Sequence, residues 1–266
     1  MIDERAIIHS TAKIGKYVTI GPWTLIGKNA TIGDGTEISA HAVIGRNTTL
    51  GEKNKIYSHA SVGSDPQHLA YKAEETWLEI GSNNVIREFV TINRGTKEGY
   101  QLTRIGNSNY LMAYSHIAHD CKVGSHVVFA NTASIAGHVE VGDHANLGAF
   151  SGVHQFCRIG AYCFLGRATK IYQDILPYML VTGNPGVPTG LNTVGLRRHG
   201  FNGEIMRSLK HAFRLIYRDN RALNEVCIEL KKLADSVPEV NNLLTMINTS
   251  TRGFARHNSE LNRDSN

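Results

Sequence analysis

The chain has 266 residues, a formal net charge of +5 and 41% hydrophobic content, enough for a large core with a smaller unit beside it. No stretch approaches the roughly 18 apolar residues of a membrane span, and Met1-Ile2-Asp3-Glu4-Arg5 lacks the basic start and apolar run of a secretory signal, so a cytoplasmic protein is expected. Cys121, Cys157, Cys163 and Cys227 form no CxxC pair and read as reduced thiols, and no aromatic-basic platform points to nucleic acid.

From Ile8 an aliphatic residue recurs at every sixth position to Val62, resumes at Ile80, Ile86 and Ile92, and resumes again from Ile105 to Ile171, with Phe129 the one aromatic substitute. No α-helix keeps one face inward at period six, and an ordinary amphipathic strand alternates at period two; a repeat of this length reads as a solenoid of short strands. Three hexads would close one triangular coil of 18 residues, with the aliphatic residues filling each layer and Gly or another small residue turning the corners. The 25 hexads predict about eight coils, a prism roughly 40 Å long.

The beat breaks twice, at Ser64 to Trp77 and at Asn93 to Arg104, and both stretches read as ejected loops of the kind that carry function. Around 172–195 it fades into Pro- and Gly-rich chain. Helical spacing then appears over Phe201–Tyr217, about Leu223–Leu233, and from Val240 to Ile247. The expected division is a prism over 1–190, a helical domain over 191–256 that covers the last coil, and a disordered tail at 257–266. Much of the basic excess lies between Arg197 and Arg221, which favours an acidic partner.

Positions 18 apart should lie in one column. His119, Gly137 and Gln155 then stack, with Asp120 and His138 in the next column. This gathers an imidazole, a carboxylate, an amide and a bare backbone position, although single histidines are more often solvated surface groups. No two histidines are five residues apart, so a zinc site of the His-x4-His type is not expected.

The hexads resemble those of the hexapeptide-repeat acyltransferases, which implies a left-handed parallel β-helix. Narrower segments carry a closer likeness: His116-Ile117-Ala118-His119-Asp120-Cys121, Ala136-Gly137-His138-Val139, Val153-His154-Gln155-Phe156-Cys157, Val90-Thr91-Ile92-Asn93-Arg94-Gly95-Thr96 and Gly195-Leu196-Arg197-Arg198. In this order, with Met1-Ile2-Asp3 and Ser250-Thr251-Arg252-Gly253 near the ends, the chain is similar to the UDP-N-acetylglucosamine O-acyltransferases that begin lipid A biosynthesis. The resemblance implies transfer of a (3R)-3-hydroxyacyl group from acyl carrier protein to the sugar 3-position of a UDP-sugar. The phosphopantetheine of the carrier delivers the thioester, with no bound cofactor or metal, and the enzyme is a homotrimer with sites between subunits. On the same ground His119 is the general base, Asp120 its orienting carboxylate and Gly137 an oxyanion donor. His116, His138, His154 and Gln155 line the substrate site, and Arg198 meets nucleotide phosphate or the carrier protein.

Two departures stand out. The family's Gln-Asp-x-Lys-Tyr is here Gln67-His68-Leu69-Ala70-Tyr71, which leaves Gln67 and His68 to contact the acceptor and opens a 3-amino sugar analogue as an alternative substrate. Arg167 stands where the family sets acyl-chain length; it can plug the groove or reach solvent, and a shortened groove is the expectation. The related N-acyltransferase of the same pathway carries an additional N-terminal domain, for which hexads starting at Ile8 leave no room. A non-catalytic paralogue that keeps the prism is the remaining alternative.

Overall fold

The computed structural model describes residues 1–256; the expected tail at 257–266 lies outside them. Each hexad forms a strand of two to four residues in which the outward residue precedes the aliphatic one, as in Thr31–Ile32 and Asn146–Leu147. All 25 hexads form such strands, from Ile7–Ile8 to Lys170–Ile171. They stack in parallel into three sheets of nine, eight and ten strands, the last including a terminal hairpin. Each strand pairs with the third strand along the chain, so Ile117 lies on Ile135 and Ile135 on Val153. The architecture is the expected left-handed parallel β-helix with a small helical end. Its core is a continuous ladder of Ile, Leu and Val with Phe129.

The corners differ from the expectation. Small residues turn only a few of them, such as Gly35 (φ 67°), Ser108 (φ 57°) and Ala168 (φ 59°). The left-handed corner position is held at almost every turn by a larger residue, for example Asp120 (φ 60°), His126 (φ 59°), His138 (φ 62°), Phe156 (φ 65°) and Tyr162 (φ 59°). That backbone costs about 1–2 kcal/mol per non-glycine residue in isolation. Here it recurs because most corner N–H groups bond the coil before them, as His138 N does to His119 O at 3.1 Å, and because corner side chains stack. The glycines after the aliphatic residues serve close approach: a Cβ on Gly148 would stand 2.4 Å from Leu165 O.

The two excursions are shorter than the pattern indicated. Ser64, Trp77, Asn93 and Leu102–Arg104 belong to strands, which leaves 65–76 and 94–101 outside the sheets. After the last coil an antiparallel hairpin, Met179–Gly183 with Gly186–Leu191, extends the ten-stranded sheet; the sequence pattern gave only irregular chain there. Among the described residues four helices follow: α1 (Thr193–Arg198), α2 (Gly203–Tyr217), α3 (Leu223–Ser236) and α4 (Val240–Thr249). Asn202 caps α2 by accepting from Glu204 N and Ile205 N, both at 3.0 Å, and α2 buries Met206, Leu209, Phe213 and Ile216. Buried Asp174 pins the end of α4 to the prism by accepting from Arg158 N and Ser250 Oγ, both at 2.8 Å. Among the described residues no helix is long and apolar enough to cross a membrane.

Candidate active site

The strand His116–Ile117 sends Ile117 into the core and His116 outward on the nine-stranded sheet. His119 and Asp120 follow at the corner between the nine- and eight-stranded sheets. Asp120 is buried and its carboxylate accepts from Thr96 Oγ1 (2.6 Å), Thr96 N (3.0 Å), Tyr100 N (2.8 Å) and His119 Nδ1 (2.8 Å). Burial alone would push its carboxyl up, but the hydrogen bonds from His119 and Thr96 outweigh that and hold it below the ordinary range. An ionised carboxylate can only accept, so His119 Nδ1 carries a proton, and in the neutral ring the lone pair is on Nε2.

That Nε2 lies over Gly137, as the 18-residue arithmetic requires. A Cβ on Gly137 would stand 2.7 Å from His119 Cε1 and 2.9 Å from Nε2, so only glycine leaves room for the ring. Among the described residues the Gly137 N–H has no acceptor. Both groups border a cavity of about 520 Å³ shared with Gln67, His68, His116, His154, Gln155, Lys170 and Tyr172. His68, from the first excursion, meets the His119 ring edge-on at 5.3 Å. His116 Nδ1 is 2.7 Å from Thr91 Oγ1, and burial lowers the pKa of its ring.

Three predicted residues stand elsewhere. His138 sits beside Asp120, 4.0 Å away, stacked on Phe156 at 4.5 Å and outside the cavity lining; burial lowers its pKa. Arg198, in α1, borders a different cavity of about 410 Å³ with His126, His144, Asn192 and His199, and is not brought to His119 within one chain. Arg167 is exposed at the opposite margin of the nine-stranded sheet, its guanidinium 5.5 Å from the Phe150 ring centroid.

Sequence reasoning gave no role to Thr91, Thr96, Tyr100 or Lys170, although Thr91 and Thr96 lie in a segment that carries the family likeness. Thr91 was within reach: counting hexads rather than residues pairs it with His116 across the second excursion. Thr96 and Tyr100 lie in aperiodic chain, where no spacing points to a partner.

Among the described residues, His119, Asp120 and His138 are the one group offering three ligand atoms within 4.8 Å of one another. A cation there would have to displace the Thr96 hydroxyl and the His119 proton from Asp120.

Residues 174–255 match the family described as UDP N-acetylglucosamine O-acyltransferase, domain 2, and residues 102–137 match the bacterial transferase hexapeptide. The chain is 54% identical over 255 residues to an acyl-[acyl-carrier-protein]–UDP-N-acetylglucosamine O-acyltransferase of Alkalilimnicola ehrlichii, covering 96% of this chain and 99% of that one. A protein of the same name from Herminiimonas arsenicoxydans is 45% identical, with the same shares covered. Among solved structures, LpxA of Acinetobacter baumannii superposes with a TM-score of 0.94 at 43% identity, over 96% of this chain and 99% of that one. The Francisella novicida UDP-N-acetylglucosamine acyltransferase superposes at 0.95 and 39%, over 97% and 95%.

Proposed function

The chain belongs to the UDP-N-acetylglucosamine O-acyltransferase family, and we propose that His119 drives its reaction as general base. The enzyme transfers a (3R)-3-hydroxyacyl chain from acyl carrier protein to the 3-hydroxyl of UDP-N-acetylglucosamine, the first step of lipid A biosynthesis. In this reading His119 Nε2 takes the hydroxyl proton as the sugar oxygen attacks the thioester carbon. The oxyanion of the tetrahedral intermediate accepts from Gly137 N–H. Collapse expels the phosphopantetheine thiolate, which recovers the proton from the imidazolium, while Asp120 keeps the ring aligned and its charge balanced. Gln67, His68, His116, His154 and Gln155 line the space for substrate, and His138 supports Asp120.

The observation that carries this reading is the 2.8 Å bond from His119 Nδ1 to Asp120, which leaves Nε2 free above Gly137 at the cavity. Replacing His119 by Ala should lower kcat by about 10²–10⁴-fold with the melting curve kept, as loss of a general base does. Full activity in that variant would remove the assignment.

The assembly in this proposal is a homotrimer in the cytoplasm. A column of side chains runs along the edge between the ten- and nine-stranded sheets: His41, His59, Phe89 and Tyr114 stack at 5.1, 5.1 and 4.9 Å. Phe89 and Tyr114 remain 43% and 61% exposed in the single chain, an apolar edge suited to a threefold axis. Packing copies on this edge sets the nine-stranded sheet of one against the ten-stranded sheet of the next. The Arg198 cavity of one copy then faces the His119 cavity of its neighbour, where a guanidinium can pair with the nucleotide diphosphate. The exposed basic face of α2, with Arg207, Lys210 and Arg214, suits the acidic carrier protein, and Arg167 over Phe150 limits the length of acyl chain admitted.

A further inference from the structure

The second excursion, 94–101, leaves the prism immediately before the coil that carries His119 and folds back onto Asp120. Its backbone rests on the carboxylate: a Cβ on Gly99 would stand 2.4 Å from Asp120 Cγ. Tyr100 N donates to Oδ1 at 2.8 Å, and Thr96 donates twice to Oδ2, from N at 3.0 Å and from Oγ1 at 2.6 Å. Oδ2 is the same oxygen that takes the His119 Nδ1 proton at 2.8 Å. The excursion is anchored at its start by buried Arg94, which donates to Gly63 O, the Asp65 carboxylate and Tyr71 Oη. On the other side Asp120 N donates to Thr103 Oγ1 at 2.8 Å, which fixes the corner itself.

We propose that Thr96 is a positioning residue of the acyl transfer, its hydroxyl holding and partly neutralising the one carboxylate oxygen that orients His119. The inference rests on His119 being the base and deepens that reading. A hydroxyl donor to a carboxylate withdraws charge from the oxygen it bonds. Without it, Oδ2 binds the protonated imidazole more tightly, and the free-base form needed for attack becomes scarcer at a given pH. The main-chain donors of Thr96 and Tyr100 remain, so the carboxylate keeps its place. The other titratable or charged groups around the pair are His68 from the first excursion, His116 on its strand, His138 from the next coil, and Lys122, 4.1 Å over the Tyr100 ring. All of these are unchanged by a substitution at Thr96.

The test is the pH profile of kcat/KM for the full chain, with acyl carrier protein thioester and UDP-N-acetylglucosamine, in Thr96→Val, Thr96→Ser and wild type. For valine the acid limb should move up by about one pH unit, the scale of one charged hydrogen bond, which lowers kcat/KM about tenfold on the acid side and leaves the plateau nearly intact. Serine, which keeps the hydroxyl, should restore the wild-type profile. An unshifted limb in valine overturns the proposal, and so does a serine variant as impaired as valine, since methyl packing would then be the cause. If valine melts early, Thr96→Ala is read in its place under the same criteria. His119→Ala separates the two readings: activity there removes the base, whereas an inactive His119→Ala beside an unshifted Thr96→Val removes only the role of Thr96.

Discussion

At the scale of single residues, the site depends on one missing side chain. Gly137 has no room for a Cβ because the His119 ring already occupies that volume. Gly137→Ala should displace the ring, or the peptide whose N–H serves the oxyanion, and lower kcat about 10²–10³-fold with little change in Tm. Wild-type turnover in that variant would show that the contact is dispensable. The pairing of His119 with Gly137 was legible because both lie on unbroken hexads, where 18 residues equal one coil. Thr91 was obscured because 25 residues separate it from His116, though the two strands are adjacent in the sheet. The contact of Thr96 with Asp120 could not be read from spacing: its place is set by a chain reversal stabilised through Asp120 and Arg94, and side-chain bonds of this kind leave no periodic trace.

The strands and corners show which sequence signals translate into geometry. An inward aliphatic residue every six positions fixes sheet, register and face together, so the fold followed from spacing plus a family likeness for its handedness. The corners were misread because a steric rule for isolated residues favours glycine at positive φ, whereas here stacked rings and regular N–H bonds sustain His, Phe, Tyr and Asp. The hairpin at 179–191 was hidden by Pro185 and Pro188 in a stretch that has lost the hexad. The two excursions act as one piece, because the Tyr71 hydroxyl accepts from Arg46 at 2.9 Å and from Arg94 at 3.1 Å and donates to Glu74 O at 3.1 Å. Tyr71→Phe should cost about 1 kcal/mol of stability and raise KM for the sugar nucleotide several-fold, since Gln67 and His68 lose their brace, with kcat within about twofold. An unchanged KM would separate the brace from substrate binding.

For the whole molecule, stability is shared along the stack, and half-buried imidazoles make it sensitive to acid. Burial holds His116, His138 and His144 below the ordinary histidine value of 6.5. In the unfolded chain these rings bind protons near that value; folded, they do so only at lower pH. The unfolded state therefore binds more protons between the two values, and stability falls as pH drops below about 6.5. Tm should be nearly level from pH 8 to 7 and decline towards pH 5, and His144→Gln should remove part of the decline. A slope unaffected by that change would assign it to other groups.

His144 also ties the two parts of the molecule together. It stacks on His126 at 4.8 Å and on Tyr162 at 4.7 Å, and leans against His199, just beyond α1, at 4.5 Å. Asp143 is the carboxylate at its side. A proton gained by His144, which burial disfavours, would place a positive charge at the seam between the prism and its helical end. Mild acid should therefore act as a key on this latch: amide exchange in the segment carrying Arg198 quickens first, while the ladder beneath stays shut.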